Sequence, residues 1–391
     1  MLRFGLKQYA AITLSLAAAA SAATAYINQV GYRTGDTKEF ALVDGSGTVE
    51  IVDGSGTTVL TATPSAASNW APSGQSVQLV DFSDLKTPGT YSIKVGGQVV
   101  RNDLKIADSP FEDVTKASLK WYYYQRASMA LEETYAGQWK RAAGHTNETA
   151  QLHKSAGSGS LQSSKGWYDA GDYGRYIVNS GITTYTLLSL YEHFPDYFKT
   201  LKWNIPADGN LPDLLAEIKY NLDWMLTMQD KDGGVYHKVS TLKFCGSVQP
   251  EDDTAPRYAI IKNVTASLDF AGVMAQASVV YRKFDKAYAD KMLKAAESAY
   301  AWAKKNPKAF YKQPADVNTG SYAPGNEDGK DEFRWAAAEL YRAKAVAGAK
   351  GDKAAAGYLK DLKGNAFSPN GAWWGDMNMI AAFRVALDSA I

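Results

Sequence analysis

The sequence predicts a mostly α chain in which a small β-sandwich precedes a larger array of packed helices. Three observations carry this. Short alternating apolar runs, separated by Asp-Gly, Gly-Ser-Gly and Pro-Gly turns, occupy residues 26 to about 106. After Ala107-Asp-Ser-Pro110 the composition changes abruptly. From there long runs with helical spacing take over, with no intervening strands.

Taken in order, residues 1–22 carry Arg3 and Lys7, then an apolar run over 10–20, and end in Ala20-Ser21-Ala22. That pattern reads as a secretory signal peptide with an A-x-A cleavage site, so a secreted or periplasmic location is expected. The apolar run is shorter than the roughly 20 residues of a membrane-spanning helix, and no later segment qualifies. A formal net charge of +1 gives no basic or acidic excess that would point to nucleic acid or a membrane surface. With 46% hydrophobic residues over 391 positions, the chain can bury a large core divided among more than one domain. Cys245 is the only cysteine, so an exported chain holds together without an internal disulfide, which fits bacterial export.

Residues 23–107 form the expected sandwich, with strands at 39–43, 48–52, 75–80 and 89–95. Residues 108–391 form the helical domain, with helical patterns near 113–133, 173–193, 211–228, 264–284, 286–305, 331–348, 353–362 and 376–390. Helices of similar length joined by loops rich in Gly, Asp, Pro and aromatics suggest an α/α barrel or solenoid. Trp224, Met225, Met228, Phe270 and Met274 repeat at helical spacing and are assigned to its core.

The chemistry is expected in Gly166-Trp-Tyr-Asp-Ala-Gly-Asp-Tyr-Gly-Arg-Tyr176, where two carboxylates lie among glycines and aromatics. Gly171 is expected to let the backbone turn between the acids, and Asp172 is expected to cap the helical run from Tyr173. A carboxylate at a helix N-terminus accepts backbone N–H bonds and meets the positive end of the dipole, both of which favour its ionised form. An ionised, fixed carboxylate can orient and deprotonate a water. The plainer reading keeps Asp172 as a cap and Asp169 as a turn residue. The aromatics Trp167, Tyr168, Tyr173 and Tyr176 favour a sugar site, where flat rings stack on pyranose faces while carboxylates act on the glycosidic bond.

This stretch resembles the signature of glycoside hydrolase family 9, the inverting cellulases, in the branch with an immunoglobulin-like domain ahead of the catalytic barrel. The resemblance continues through Tyr26-Ile-Asn-Gln-Val-Gly-Tyr32, similar to the opening strand of that domain, and through Trp121-Tyr-Tyr-Tyr-Gln-Arg126 and Gly144-His145. It extends to Leu211-Pro-Asp-Leu-Leu215, Asp223-Trp-Met-Leu-Thr-Met-Gln-Asp230, Gly233-Gly-Val-Tyr-His-Lys238, Pro250-Glu-Asp-Asp253 and the run from Asp331 to Tyr341. It implies an (α/α)6 barrel of twelve helices with a cleft across one end, Asp172 as general base and Asp169 as its partner on the same water. The implied activity is that of an endo-β-1,4-glucanase acting on cellulose or a related β-1,4-glucan, with no organic cofactor. Eight helical patterns leave the barrel about four helices short. No copy of the family's His-x-Arg motif or terminal glutamate, its general acid, is found before Ile391. The alternative is a glucan-binding protein that keeps the aromatic cleft without turnover.

Other candidates are weighed against simpler roles. Trp167, Tyr168, Tyr236, Tyr322, Trp373 and Trp374 are the substrate-binding candidates, with Trp373-Trp374 in its Gly-rich loop the best platform and Trp203 a further loop aromatic. Any single loop aromatic of this kind is more often partly buried packing than a sugar platform. Glu327, Asp328, Asp331, Glu332 and Asp376 group hard oxygen donors suited to Ca²⁺. By resemblance Asp331, Glu332 and Asp376 match a calcium site, whereas acids in a first helical turn also serve the dipole alone. Relatives place a zinc site near His145 and His153, but it needs cysteines where this chain has Ala127 and Ser128, so zinc is not expected.

Overall fold

The computed structural model describes residues 23–146, 148–207, 209–323, 328–363 and 372–387. The expected leader at 1–22 and the calcium candidate Glu327 lie outside the described residues. The chain forms two compact units, Met1–Thr115 and Lys116–Ile391.

Among its described residues the first unit contains nine strands: β1 (Thr24–Tyr26), β2 (Tyr32–Arg33), β3 (Glu39–Val43), β4 (Val49–Val52), β5 (Thr58–Ala62), β6 (Ser68–Trp70), β7 (Gln75–Asp81), β8 (Gly89–Val95) and β9 (Gln98–Ala107). They make a four-stranded sheet in the order β1-β3-β7-β6 and a five-stranded sheet in the order β2-β9-β8-β4-β5. Strand β8 shows why the sequence was readable: Tyr91, Ile93 and Val95 alternate inward and are buried, while their neighbours are not. Phe40, Leu42, Ile51, Val80 and Leu104 complete the core. The segment read as one opening strand, 26–32, is instead broken. β1 pairs with β3 in one sheet and β2 runs parallel to β9 in the other, because the intervening residues turn, with Asn28 N–H donating to the Tyr32 hydroxyl at 2.9 Å.

The second unit contains α1 (Glu112–Tyr124), which begins just before it, α2 (Glu133–Ala136), α3 (Ile177–His193), α4 (Pro195–Thr200), α5 (Asp213–Thr227), α6 (Val264–Tyr281), α7 (Lys286–Lys305), α8 (Lys330–Val346), α9 (Lys353–Lys363) and α10 (Asn378–Leu387). Helix α6 is buried nearly all round and packs against α3, α7 and α8. Its sequence is correspondingly apolar without a polar face, whereas α7 buries Tyr288, Met292, Ala296, Ala299 and Ala303 and leaves lysines outside. An inner helix wrapped by amphipathic outer ones is the layering of an α/α barrel. Gly272 permits the closest approach, since a Cβ there would meet the Trp335 ring of α8 at 2.9 Å. The Asn263 and Asp285 side chains cap α6 and α7 by accepting from Ala266 and Tyr288 N–H, each contributing about 1 kcal/mol.

Two expectations are corrected. The first helix ends at Tyr124 rather than near 133, because Arg126 turns away to make a buried two-pronged ion pair with Glu217 at 3.0 Å. The loops between helices also contain strands: β10 (Thr149–Leu152), β11 (Ser160–Gln162), β12 (Arg175–Tyr176), β13 (Tyr236–Ser240) and β14 (Tyr258–Lys262) make a mixed sheet in the order β11-β10-β14-β13-β12. This ladder of loop strands carries the acid motif.

Candidate active site

Asp169 and Asp172 sit on a tight loop closed by Asp169 N–H donating to Gly174 O at 2.9 Å. Asp172 does not cap α3. That helix starts at Ile177, with Tyr176 at its N-cap, because Arg175 and Tyr176 first pair with Val239 and Lys238 of β13. The chain does turn at Gly171 and Asp172, where Tyr173 N–H donates to Ala170 O at 3.2 Å, but Gly171 needs no left-handed φ to make that turn. Tyr173 adopts a left-handed φ of 54°, strain of the kind that persists when surrounding contacts enforce it. Those contacts are present: Arg257 donates to Tyr173 O, and the Tyr173 hydroxyl donates to Val248 O. Gly174 is required by proximity, since a Cβ there would lie 2.6 Å from the Tyr176 hydroxyl.

Each acid is held by neutral donors. Asn179 Nδ2 donates to Asp169 Oδ1 at 2.6 Å, and the Tyr322 hydroxyl donates to Oδ2 at 2.7 Å. Burial raises the Asp169 carboxyl above its usual range despite these bonds. The Tyr176 hydroxyl donates to Asp172 Oδ2 at 2.5 Å, and Oδ1 is buried with no hydrogen-bond partner. Burial, then the Asp169 charge, pushes the Tyr322 phenol up to about 12, so it stays protonated and donating. Tyr322 too has a left-handed φ, 46°.

A line of aromatic rings leads away from the acids. Tyr176 meets Tyr322 edge-on at 4.7 Å, Tyr322 meets Trp374 at 5.3 Å, and Trp374 meets Trp373 at 4.7 Å. Trp373 is 51% exposed. Against Asp169 lies a cavity of about 100 Å³, lined among others by Trp121, Tyr122, Trp167, Tyr168, Tyr176 and Asn179. Trp121, 49% exposed, was not singled out from the sequence. Its signal in the sequence was its place at the head of the Trp121–Arg126 motif, beside Tyr122, whose ring packs on Trp167 at 4.8 Å.

The remaining candidates divide. Trp167 and Tyr168 line the cavity but are buried: Trp167 Nε1 donates to Glu217 at 2.8 Å, and the Tyr168 hydroxyl lies 2.7 Å from His145 Nδ1. Tyr236 is not brought to the acids, because its hydroxyl donates to Asp230 at 3.2 Å. Trp203 is buried core. His145 also approaches Asp253 at 3.3 Å, and His153 approaches Ser155 Oγ at 2.8 Å and Asp316 at 3.3 Å. Behind the acid loop, Glu148 pairs with Arg175 at 2.5 Å and Arg257 at 3.3 Å.

At the start of α8, Asp331 Oδ2 accepts from Met377 N–H at 2.8 Å, which draws it to the segment of Asp376. Asp376 Oδ1 accepts from Asn378 N–H at 2.9 Å and so serves α10. Both oxygens of Glu332 are buried without a hydrogen-bond donor, as are those of Asp269 from α6. Burial, then the negative charge of Asp331, holds both carboxyls well above their usual range. Among the described residues no group of three or more His, Cys, Asp or Glu is already arranged around a metal position. Orphaned buried carboxylate oxygens of this kind fit a hard cation, which supplies the charge and ligation that no protein donor gives.

Comparison with known proteins gives a consistent picture. The family profile Glycosyl hydrolase family 9 matches residues 111–388, and the profile Cellulase N-terminal ig-like domain matches residues 20–100. A xyloglucan-specific endo-beta-1,4-glucanase of Bacteroides ovatus is 46% identical over 340 residues, covering 81% of this chain and 56% of that protein. Endoglucanase D of Acetivibrio thermocellus is 33% identical over 319 residues, covering 81% of this chain and 51% of the relative. The chain thus spans about half the length of these curated relatives. Among solved structures, a Bacteroides ovatus GH9 protein superposes with a TM-score of 0.82 at 40% identity, covering 92% of this chain and 67% of that one. AaCel9A in complex with cellobiose-like isofagomine superposes with a TM-score of 0.80 at 30% identity, covering 92% and 66%.

Proposed function

We propose that this chain, which belongs to glycosyl hydrolase family 9, supplies the base side of an endo-β-1,4-glucanase acting on cellulose or a related β-1,4-glucan with inversion. The observation that carries the reading is the Asp172 carboxylate: one oxygen fixed by Tyr176, the other buried and free to accept from a water. In an inverting hydrolysis the base takes a proton from that water as its oxygen attacks the anomeric carbon, and a second carboxylic acid roughly 6.5–9.5 Å away protonates the leaving oxygen. Asp169, held by Asn179 and Tyr322, gives the same water a second acceptor. The line from Tyr176 through Tyr322 and Trp374 to Trp373 offers ring faces and edges along which a glucan chain can lie. The second, acid-bearing carboxyl is not assigned to a described residue.

The test is hydrolysis of carboxymethylcellulose, cello-oligosaccharides and xyloglucan by the purified chain, with the anomer of the first product read by NMR. Release of the inverted α-anomer supports the reading. Binding without any release of reducing ends would instead support the non-catalytic glucan-binding alternative. We also propose export of the chain, from its leader-like residues 1–22, and Ca²⁺ bound by Asp331, Glu332 and Asp376. The cation would neutralise the buried acids at the start of α8 and tie that helix to the Asp376 segment. A rise in Tm with Ca²⁺, reversed by a chelator, tests it. Finding the mature N-terminus upstream of Ala22 in the exported fraction would refute the leader.

A further inference from the structure

Lys238 of β13 is fully buried, an uncommon place for an ammonium group. Among the described residues it makes no ion pair. Its three donors go to Gln313 Oε1 at 3.1 Å, Thr319 Oγ1 at 3.1 Å and Gly320 O at 2.6 Å, all on the segment that leads to Tyr322. Its Nζ also lies 5.5 Å from the centre of the Tyr176 ring. The two tyrosines it supports are the ones that donate to the two acids. Nothing about packing requires a charge here, because an apolar side chain would fill the same volume at lower desolvation cost.

We propose that Lys238 is a positioning residue for the acid pair: its ammonium group ties the 313–320 segment to β13 and faces the Tyr176 ring, so that the hydroxyls of Tyr322 and Tyr176 hold Asp169 and Asp172 in register. The proposal rests on the hydrolase reading for its kinetic consequences and on geometry for the rest. The neighbouring His237 reinforces the same tie, with Nε2 2.7 Å from Ser321 O, Nδ1 3.0 Å from Asn263 Nδ2 and the ring stacked on Tyr311 at 3.6 Å. Burial drives His237 down to about 3, so it stays neutral in ordinary buffers. Burial also brings Lys238 down to about 8, offset by the Asp172 charge. The groups facing its Nζ are the Tyr176 and Tyr311 rings, Gln313, Thr319, Gly320 O and, as the nearest influential charge, Asp172. Above about pH 8 the ammonium group therefore loses a proton, and with it one of its three donors.

The test uses the full chain with Lys238→Met, Lys238→Gln and Lys238→Arg, measured for kcat and KM against pH and for amide exchange over 313–323. Loss of kcat by roughly ten- to hundredfold is expected in the Met and Gln variants, with KM changed by less than about threefold and faster exchange in that segment. Arginine stays charged at alkaline pH, so Lys238→Arg is expected to recover much of kcat and carry activity further above pH 8 than the unaltered chain. Unchanged kcat in the Gln variant overturns the proposal. So does a general loss of folding with no recovery by arginine and no change in the alkaline limb, which would mean a packing role only. If the unaltered chain proves inactive, the hydrolase reading falls by itself, and exchange over 313–323 decides this inference: unaltered exchange in Lys238→Gln overturns it.

Discussion

Two groups of buried acids in the helical unit show how surroundings divide one residue type into two uses. Asp169 lines a cavity with Asp172 on the same loop, and three of their four oxygens accept from Asn179, Tyr322 and Tyr176. Asp269 and Glu332 are fully buried, and none of their four oxygens has a donor. Donated hydrogen bonds favour the ionised form, while burial without them disfavours it. The first group is therefore the one suited to the proposed role of taking a proton from water. The second carries an electrostatic cost that a cation would relieve, and its place is at the root of α8 rather than along the aromatic line.

The sharpest way to break this comparison is Asp172→Asn, which keeps the shape and removes the proposed base. A fall in kcat of about 10²–10⁴-fold is expected, measured on soluble glucan. Tyr322→Phe deletes one donor to Asp169, a charged hydrogen bond of about 1.5–3 kcal/mol, and should lower kcat roughly ten- to hundredfold. At the second group the readout is stability. Ca²⁺ at about a hundred times its Kd should stabilise the chain by about 2.7 kcal/mol, and Glu332→Gln should reduce that gain, followed by Tm with and without chelator. Trp374→Ala removes a ring worth about 0.5–1.5 kcal/mol and should raise KM or oligosaccharide Kd by about three- to tenfold, with kcat nearly kept.

The smallest effect concerns pH. Because the Asp169 carboxyl is raised in the folded state, the native chain binds that proton more tightly than the unfolded one. Its contribution is therefore most favourable at acid pH and is lost as pH rises through the raised native value. Denaturant unfolding across that range should show a downward slope with rising pH that is shallower in Asp169→Asn.

The acid pair was legible in sequence because its members are three residues apart and ringed by aromatics, and sandwich strands such as β8 because burial on one face forces alternation. Helix 286–305 was likewise visible from its periodicity, and 264–281 from its long, mostly apolar run. What sequence missed is what distance in the chain conceals. Nothing local to Tyr322 shows its bond to Asp169, 153 positions away. Lys238 and Arg257 gain their roles only when β13 and β14 pair. Strands of two to five residues, such as β12, are too short to show a period. The misplaced helix start at Asp172 has a similar origin, since the cap pattern was present but pairing with β13 extended the chain through Tyr176. Tyr236 stood in a motif beside Lys238, yet its hydroxyl is committed to Asp230.

The ladder of loop strands has a consequence for how such a chain can change. The excursion over 241–257 is clamped at both ends, where Ser240 pairs with Tyr258. Between the clamps it shows Phe244 and Val248 to solvent and touches the acid loop through Cys245 and Val248. Insertions or substitutions there would alter what lies against the acid loop while the registers of β12, β13 and β14 stay fixed. The clamp thus divides a stretch free to change beside the acid loop from the paired strands that hold that loop in place.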